Sequence, residues 1–592
     1  MFPSHVAHLV ALLYQKNVRQ VVLSPGSRVA PLTLAFVRHG GFEVYTMSDE
    51  RSAAFMALGL AQKKLKDFET EKDNALCLVA LACTSGTAVL NYAPAVAEAF
   101  YQEIPLIVLT ADRPPEWIDQ QDGQAIRQMH VYGAHVKKSV DIAADTYMRA
   151  EAIWYMERLC NESIQCAIES PRAAVHFNLP FREPFYPDID EIFTFPSSSQ
   201  IRTIQKIIPP STLSTTVWET LFSLWEQAER KMIVAAQMFP SERLKNSLQR
   251  IVQEYKIPLI ADTVANLHTI EGTIQAHELI LFKPDATFRP DLLITFGKSL
   301  IAKPLKMFLR QYQPKWHIHI QEGGWAADTF QTLTHQVAMC PASFFEQWYE
   351  ALEYQYKLED ENEENEAFFQ RWQTANQRAM RYLWQEFNFK GDFSALAATK
   401  IILDTLPNVP LHLHVANSMA VRYLNYWGIE RTQTELTVFA NRGTSGIEGS
   451  SSTAVGCALA DRDTLTLLIT GDLAFFYDRN AFWHNYPLPN LRIIVLNDQG
   501  GGIFRIIKGP REQPELDEFF ETKQMLNASL TSQDFMMDYT KVDNEQDLKN
   551  ALTHFFEPHT NAKILEIAFD STVNAEAVKK MLNNYQNPSI SL

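Results

Sequence analysis

The chain has 592 residues, 46% of them hydrophobic, enough for several packed domains of roughly 100 to 200 residues each. Its 69 acidic against 53 basic side chains give a formal charge of −16, which argues against a nucleic-acid or anionic-membrane partner, because such partners reward clustered Lys and Arg. Six cysteines form no CxxC pair, no basic region precedes the first apolar residues, and no apolar run reaches the about 18 residues needed to span a bilayer; a reduced cytoplasmic protein without structural zinc is the simplest reading.

Strand-like runs alternate with helical stretches in three blocks, which predicts three α/β domains rather than one long sheet. The first block, 1–190, holds Val21 to Leu23, Leu76 to Ala82 and Ile104 to Thr110, each followed by a turn and a helix-like segment. A linker is expected around Pro196 to Ser199 and Pro209-Pro210. The second block, 205–357, has Ile233 to Ala236, Leu292 to Phe296 and Ile318 to Ile320, and ends near the acidic run Glu359 to Glu364, read as a solvated helix face. The third, 380–592, carries Leu465 to Ile469 and Ile493 to Leu496. The first and third blocks are alike in pattern only.

Chemistry concentrates after those last two strands. Gly471-Asp472-Leu473 follows one and Asn497-Asp498-Gln499-Gly500-Gly501-Gly502 the other. Ligands of parallel sheets sit at the strands' carboxyl ends, and the two acids are 26 residues apart, room for a strand, a crossover helix through Asn480 to His484, and a return. Two carboxylates converging on one point suit Mg²⁺, whose other positions are filled by phosphate oxygens, carbonyls and water, while the glycines admit a phosphate to the backbone. Either half alone reads as a turn or a flexible loop; their pairing favours a site. Glu50, in Ser48-Asp49-Glu50-Arg51, opens an alanine-rich helical stretch where Ser48 could cap and acids would favour the positive dipole end, so its local reading is structural.

The Gly-Asp/Asn-Asp pair resembles the thiamine diphosphate motif, with Leu473 and Asp498 departing from its usual third and last positions. Ser24-Pro25-Gly26-Ser27-Arg28, Asp49 to Ala53, Thr84 to Ala88, Thr110 to Glu116, Gln124 to Gln128, Asn417-Ser418, Asn441-Arg442-Gly443 and Ser445-Gly446-Ile447 are similar to the 2-succinyl-5-enolpyruvyl-6-hydroxy-3-cyclohexene-1-carboxylate synthases of menaquinone biosynthesis. The likeness covers the first and last thirds in order and the middle third weakly.

That resemblance implies three doubly wound parallel-sheet domains: pyrimidine-binding, central and diphosphate-binding. It implies decarboxylation of 2-oxoglutarate on thiamine diphosphate and addition of the succinyl carbanion equivalent to isochorismate. The cofactor contacts it implies are Glu50, a buried acid at the aminopyrimidine N1′, with Ile447, Asp472, Leu473, Asp498, Gly500 and Ile503. Asp472, Asp498 and Gly500 would hold Mg²⁺ or Mn²⁺. Ser27, Arg28, Arg113, Gln124, Lys303, Ser418, Arg422, Arg442 and Phe504 would line the substrate site, with Arg28, Gln124, Arg422 and Arg442 close to the chemistry. Guanidinium forks suit dicarboxylates, although Arg28, Arg113, Arg127, Arg422 and Arg442 taken singly each read as a surface ion pair. Phe504 and Ile503 would wall out water, and Ile447 would bend the cofactor; simple packing reads equally well for all three. Pro304 and Gly123 depart from the family where a second basic residue and an asparagine occur.

The family places its cofactor between the first domain of one subunit and the third of another, so a homodimer or homotetramer is implied. An acetolactate synthase-type carboligase or 2-oxoacid decarboxylase would share the cofactor residues without needing so many arginines. A nucleotide-binding protein would want a GxxxxGK[ST] loop, which is absent, and a non-catalytic scaffold would not need Glu50 and both acids.

Overall fold

The computed structural model describes residues 4–586 except 71, 74, 189–192, 210, 284, 356–362 and 388–392. Pro210 and the first four residues of the acidic run, 359–362, lie outside the described residues; Glu363 and Glu364 begin the helix Glu363–Arg381, exposed as expected.

Among the described residues the strands form three parallel six-stranded sheets flanked by helices. The first comprises β1 Val18–Leu23, β2 Glu43–Thr46, β3 Leu78–Cys83, β4 Ile107–Asp112, β5 Lys138–Asp141 and β6 Val175–Pro180, in the order β2-β1-β3-β4-β6-β5. The second comprises β7 Lys231–Ala235, β8 Leu259–Ala261, β9 Thr273–Ile274, β10 Leu292–Phe296, β11 Trp316–Ile320 and β12 His335–Val337, ordered β12-β11-β10-β7-β8-β9. The third comprises β13 Leu411–Val415, β14 Leu436–Phe439, β15 Leu465–Gly471, β16 Leu491–Asn497, β17 Asp538–Val542 and β18 Lys563–Ala568, ordered β14-β13-β15-β16-β18-β17. The first and third thus share one topology, so their likeness in sequence pattern reflects a shared strand order. The second has the doubly wound order typical of dinucleotide-binding sheets.

These runs are strands because they are short, β-branched or leucine-rich and covered on both faces: every residue of β3, β4, β6, β10, β13 and β16 is buried. Against the expected Leu76 to Ala82 and Ile104 to Thr110, the strands start two and three residues later and run on by one and two, into Cys83 and Asp112.

The chain divides into two compact units: Met1–Ile208 with Asn441–Asp463 and Phe476–Leu491, and Pro209–Ala440 with Thr464–Phe475 and Arg492–Leu592. In the first, the helix Glu50–Glu69 lies along Ser450–Ala460 so closely that glycines are required: a Cβ on Gly59 would sit 2.0 Å from the Thr453 carbonyl oxygen, and one on Gly456 2.1 Å from that of Met56. In the second, one continuous core joins both sheets, from Met232, Val234 and Ile260 to Leu411, Leu467 and Ile494. The helix Glu363–Arg381 contributes Phe368 and Trp372 to that core, fully buried. A segment expected between domains is therefore structural. Among the described residues no helix is long and apolar enough to cross a membrane, and all six cysteines are free thiols.

Candidate active site

The reversal in the third sheet's strand order falls between β13 and β15, and such switch points open a crevice at the strands' carboxyl ends. Asp472 follows β15 there and Asp498 follows β16. The expected helix between them is instead a short helix, Asp472–Tyr477, and a 3₁₀ turn, Arg479–Phe482.

The two acids converge. Burial first, and then the charge of Asp472, push the Asp498 carboxyl up to about 7. Burial raises Asp472 to about 6, against hydrogen bonding from Gln524 and the Leu473 and Gly500 amides. Neighbouring carboxylates held this way favour a positive charge between them. The loop between them needs its glycines: a Cβ on Gly502 would stand 2.2 Å from Asp498 Oδ2, and one on Gly500 2.7 Å from the Glu521 carbonyl oxygen. Among the described residues no three His, Cys, Asp or Glu side chains gather as a metal site. Two carboxylates beside an open backbone loop nevertheless fit a hard cation that takes its remaining ligands from a carbonyl, water and a diphosphate. The residues therefore fit thiamine diphosphate with a divalent ion. Leu473 and Ile503 are half-buried beside these acids in sequence, and Ile503 packs on the core. Phe504 is half-buried in the short helix Ile503–Ile506, its ring 5.9 Å from that of Phe520.

In the other unit, Glu50 is the first residue of its helix and half-buried. The expectation of a buried acid is not met within one chain, where Glu50 at the helix start stays half-buried. The cap is Asp49, not Ser48: its Oδ1 accepts the Ser52 N–H at 3.0 Å, while Ser48 is exposed. The residues around Glu50 are gripped by one segment. Asn480 Nδ2 donates to Asp49 Oδ2 at 2.7 Å, and Arg51 donates to the Tyr477 carbonyl at 2.6 Å and stacks on its ring. Buried Asp478 accepts Ser452 N–H at 2.7 Å, Ser452 Oγ at 2.8 Å and Ser52 Oγ at 3.5 Å. One carboxylate thus ties the first turns of the two close-packed helices together. Ile447 is half-buried just before the second of them.

The arginines divide. Arg28 is buried, donates to the Phe181 carbonyl at 2.8 Å and lies over the Phe185 ring, with the exposed Glu183 carboxylate 3.9 Å away, so its ion pair is made by a buried guanidinium rather than a solvated one. Arg442 is buried in a loop whose neighbours Gly443 and Thr444 donate backbone N–H to Glu98 at 2.7 and 2.6 Å. Arg422 is half-buried in the helix Met419–Trp427 and bonds to the carbonyl of Ser418, which is itself at φ 70. Arg113 pairs with Asp122 at 3.0 Å and donates to the Gly123 carbonyl; Arg127 is exposed and paired with Asp119. Ser27, Gln124 and Lys303 are exposed, Gln124 at φ 57 with its Cα against Gly86. The structure therefore gathers Ser27, Arg28, Glu50, Arg113, Gln124, Arg442 and Ile447 in one unit and Lys303, Ser418, Arg422, Asp472, Leu473, Asp498, Gly500, Ile503 and Phe504 in the other. Sequence reasoning missed Gln524, Asn574, Asp478 and Glu98. Each is a single polar residue distant in sequence from its partner, and no local pattern marks it.

Three parallel sheets with an acidic pair and glycine loop at a switch point define a thiamine diphosphate-dependent α/β enzyme. Residues 4–134 match the family model for the N-terminal TPP-binding domain of thiamine pyrophosphate enzymes. Curated proteins of Cytophaga hutchinsonii (41% identical over 588 residues, 98% of each chain), Porphyromonas gingivalis (38% over 580 residues, 97% of this chain and 96% of that one) and Christiangramia forsetii (34% over 598 residues, 97% of each) all carry the name 2-succinyl-5-enolpyruvyl-6-hydroxy-3-cyclohexene-1-carboxylate synthase. The chain belongs to that synthase family.

Proposed function

We propose that the protein decarboxylates 2-oxoglutarate on thiamine diphosphate and joins the succinyl unit to isochorismate, releasing carbon dioxide and 2-succinyl-5-enolpyruvyl-6-hydroxy-3-cyclohexene-1-carboxylate for menaquinone biosynthesis. The observation that carries this reading is near-complete coverage by same-named relatives in a chain that carries Glu50, Asp472 and Asp498. An acetolactate synthase-type alternative gains no support from those relatives.

Bound thiamine diphosphate supplies a carbon nucleophile and an electron sink for decarboxylation. Asp472, Asp498 and the Gly500 carbonyl would hold Mg²⁺ or Mn²⁺ for the diphosphate, while Leu473, Ile503 and Ile447 would support the rest of the cofactor. Glu50 holds the proton at the aminopyrimidine N1′. Arg28, Arg113, Arg422, Arg442 and Lys303, with Ser27, Gln124 and Ser418, bind and orient the carboxylates of the two acids. Phe504 and Ile503 exclude water from the reacting carbon. The reading includes three domains at 1–190, 205–357 and 380–592, a cytoplasmic location, and a homodimer or homotetramer in which Glu50 of one subunit serves the metal end of another. Support for the last point comes from the half-exposure of Glu50 within a single chain.

The test is carbon dioxide release from 2-oxoglutarate, with and without isochorismate, after adding thiamine diphosphate and Mg²⁺. A coupled product is expected; turnover of pyruvate alone would refute the assignment. Glu50→Gln should lower turnover by about 10²- to 10⁴-fold while Mg²⁺-dependent cofactor binding persists. Near-normal turnover would remove Glu50 from the proton relay.

A further inference from the structure

Each acid of the pair is met by a side-chain amide from outside the motif. Gln524 Nε2 donates to Asp472 Oδ2 at 2.6 Å, and Asn574 Nδ2 donates to Asp498 Oδ2 at 3.1 Å. Neither amide can turn round without loss. The Gln524 carbonyl oxygen accepts the Leu526 N–H, and the Asn574 carbonyl oxygen accepts the Ala395 N–H at 2.7 Å. A backbone donor fixes each oxygen, so each NH₂ must face a carboxylate.

The supports of both amides are themselves fastened. The Gln524 N–H donates to the Gln499 carbonyl at 3.0 Å, and the Gly501 N–H to that of Glu521 at 2.6 Å, lacing 521–524 to the glycine loop. Fully buried Glu521 is paired with Arg505, whose Nε lies 2.9 Å from Glu521 Oε1 and 3.1 Å from Ser571 Oγ. Ser571 opens the helix Ser571–Gln586, which carries Asn574. One chain of contacts therefore links the two amides through Glu521, Arg505 and Ser571.

We infer that Gln524 and Asn574 are positioning residues that orient Asp472 and Asp498 for a divalent cation, each occupying one carboxylate oxygen and turning the other toward the ion. The inference rests on the metal reading above. Hydrogen-bond partners of metal-binding carboxylates fix their orientation, and losing one typically weakens metal binding about 10- to 100-fold. If Gln524 merely filled an empty site, its removal would tighten binding instead.

The test is Mn²⁺ affinity, read by electron paramagnetic resonance with thiamine diphosphate present, on the full chain. Gln524→Leu and Asn574→Leu should each weaken Mn²⁺ about 10- to 100-fold; neither replacement adds a charge beside the acids. Wild-type or tighter affinity in Gln524→Leu overturns the inference. Because Asn574 is buried, the melting temperature of the metal-free variant is measured alongside, and Gln524→Met, at a half-buried position, repeats the test without a folding liability. Asp472→Ala and Asp498→Ala separate the two levels. Should these bind Mn²⁺ as wild type does, the metal reading itself fails; should they lose it while the amide variants do not, only the positioning role fails.

Discussion

Replacing Gly59 by alanine tests whether helix contact sets the place of Glu50. The new Cβ would fall 2.0 Å from the oxygen, 2.8 Å from the carbonyl carbon and 3.0 Å from the Cα of Thr453, all backbone atoms of the neighbouring helix. Real Cβ contacts essentially never come under 3.0 Å, so the two helices would have to part by about an ångström at that level. Alanine contributes about 1 kcal/mol of helix propensity over glycine, whereas overpacking costs about 1 to 3 kcal/mol or more. With no flexible side chain able to yield, a net loss of about 1 to 2 kcal/mol is expected. Separation would also shift the helix starts bearing Glu50 and following Ile447. The urea midpoint should fall, and kcat for carbon dioxide release should fall with it. Gly456→Ala meets Met56 O at 2.1 Å and Leu60 N at 2.9 Å, so it should behave alike. The double variant should cost less than the sum, because the first separation relieves the second. A raised midpoint with full activity, the behaviour of alanine on an open helix face, would refute the packing argument.

Metal binding should depend on pH. Without a cation Asp498 sits at about 7 and Asp472 at about 6, both above the ordinary 3.8, so between about pH 4 and 7 the folded chain holds more protons than the unfolded one and loses stability as pH rises. A cation requires both groups ionised, so Mg²⁺ with thiamine diphosphate should raise the melting temperature more at pH 8 than at pH 6, and binding at pH 6 should release protons in calorimetry. Equal shifts at both pH values would contradict this. Lys66 is buried in the helix Glu50–Glu69 and held at about 8, by burial first and then by Lys72 and Lys63. Its folded value lies below the ordinary 10.5, so stability is lost as pH falls from about 10.5 to 8; Lys66→Met should stabilise the chain at pH 7 by up to about 3 kcal/mol, a gain that fades towards pH 10 in urea titrations. Asp478→Ala should cost about 1 to 3 kcal/mol by stranding the Ser452 N–H. Asp478→Asn should cost less, since its oxygen can still accept the Ser452 N–H while its NH₂ donates to the serine hydroxyls; wild-type stability in Asp478→Ala would deny the clamp its role.

Strand cores and the chemistry at their ends were legible in the chain's local pattern. Ile493 to Leu496 and Leu465 to Ile469 are strands because short apolar runs closed by turn residues have few other ways to bury themselves, and Asp472 and Asp498 must then fall at carboxyl ends. Family motifs such as Ser24 to Arg28 and Asn441 to Gly443 were legible for the same reason: they are contiguous. Tertiary structure alone decided what faces those residues. That Asn574 meets Asp498, that Gln524 meets Asp472, that Asp478 holds Ser52 and Ser452 together, and that Arg28 is buried while Arg127 is exposed follow from packing between segments far apart in the chain. A lone amide or acid in a helix carries no periodicity of its own. Its partner is chosen by the distance and burial that only the completed core imposes.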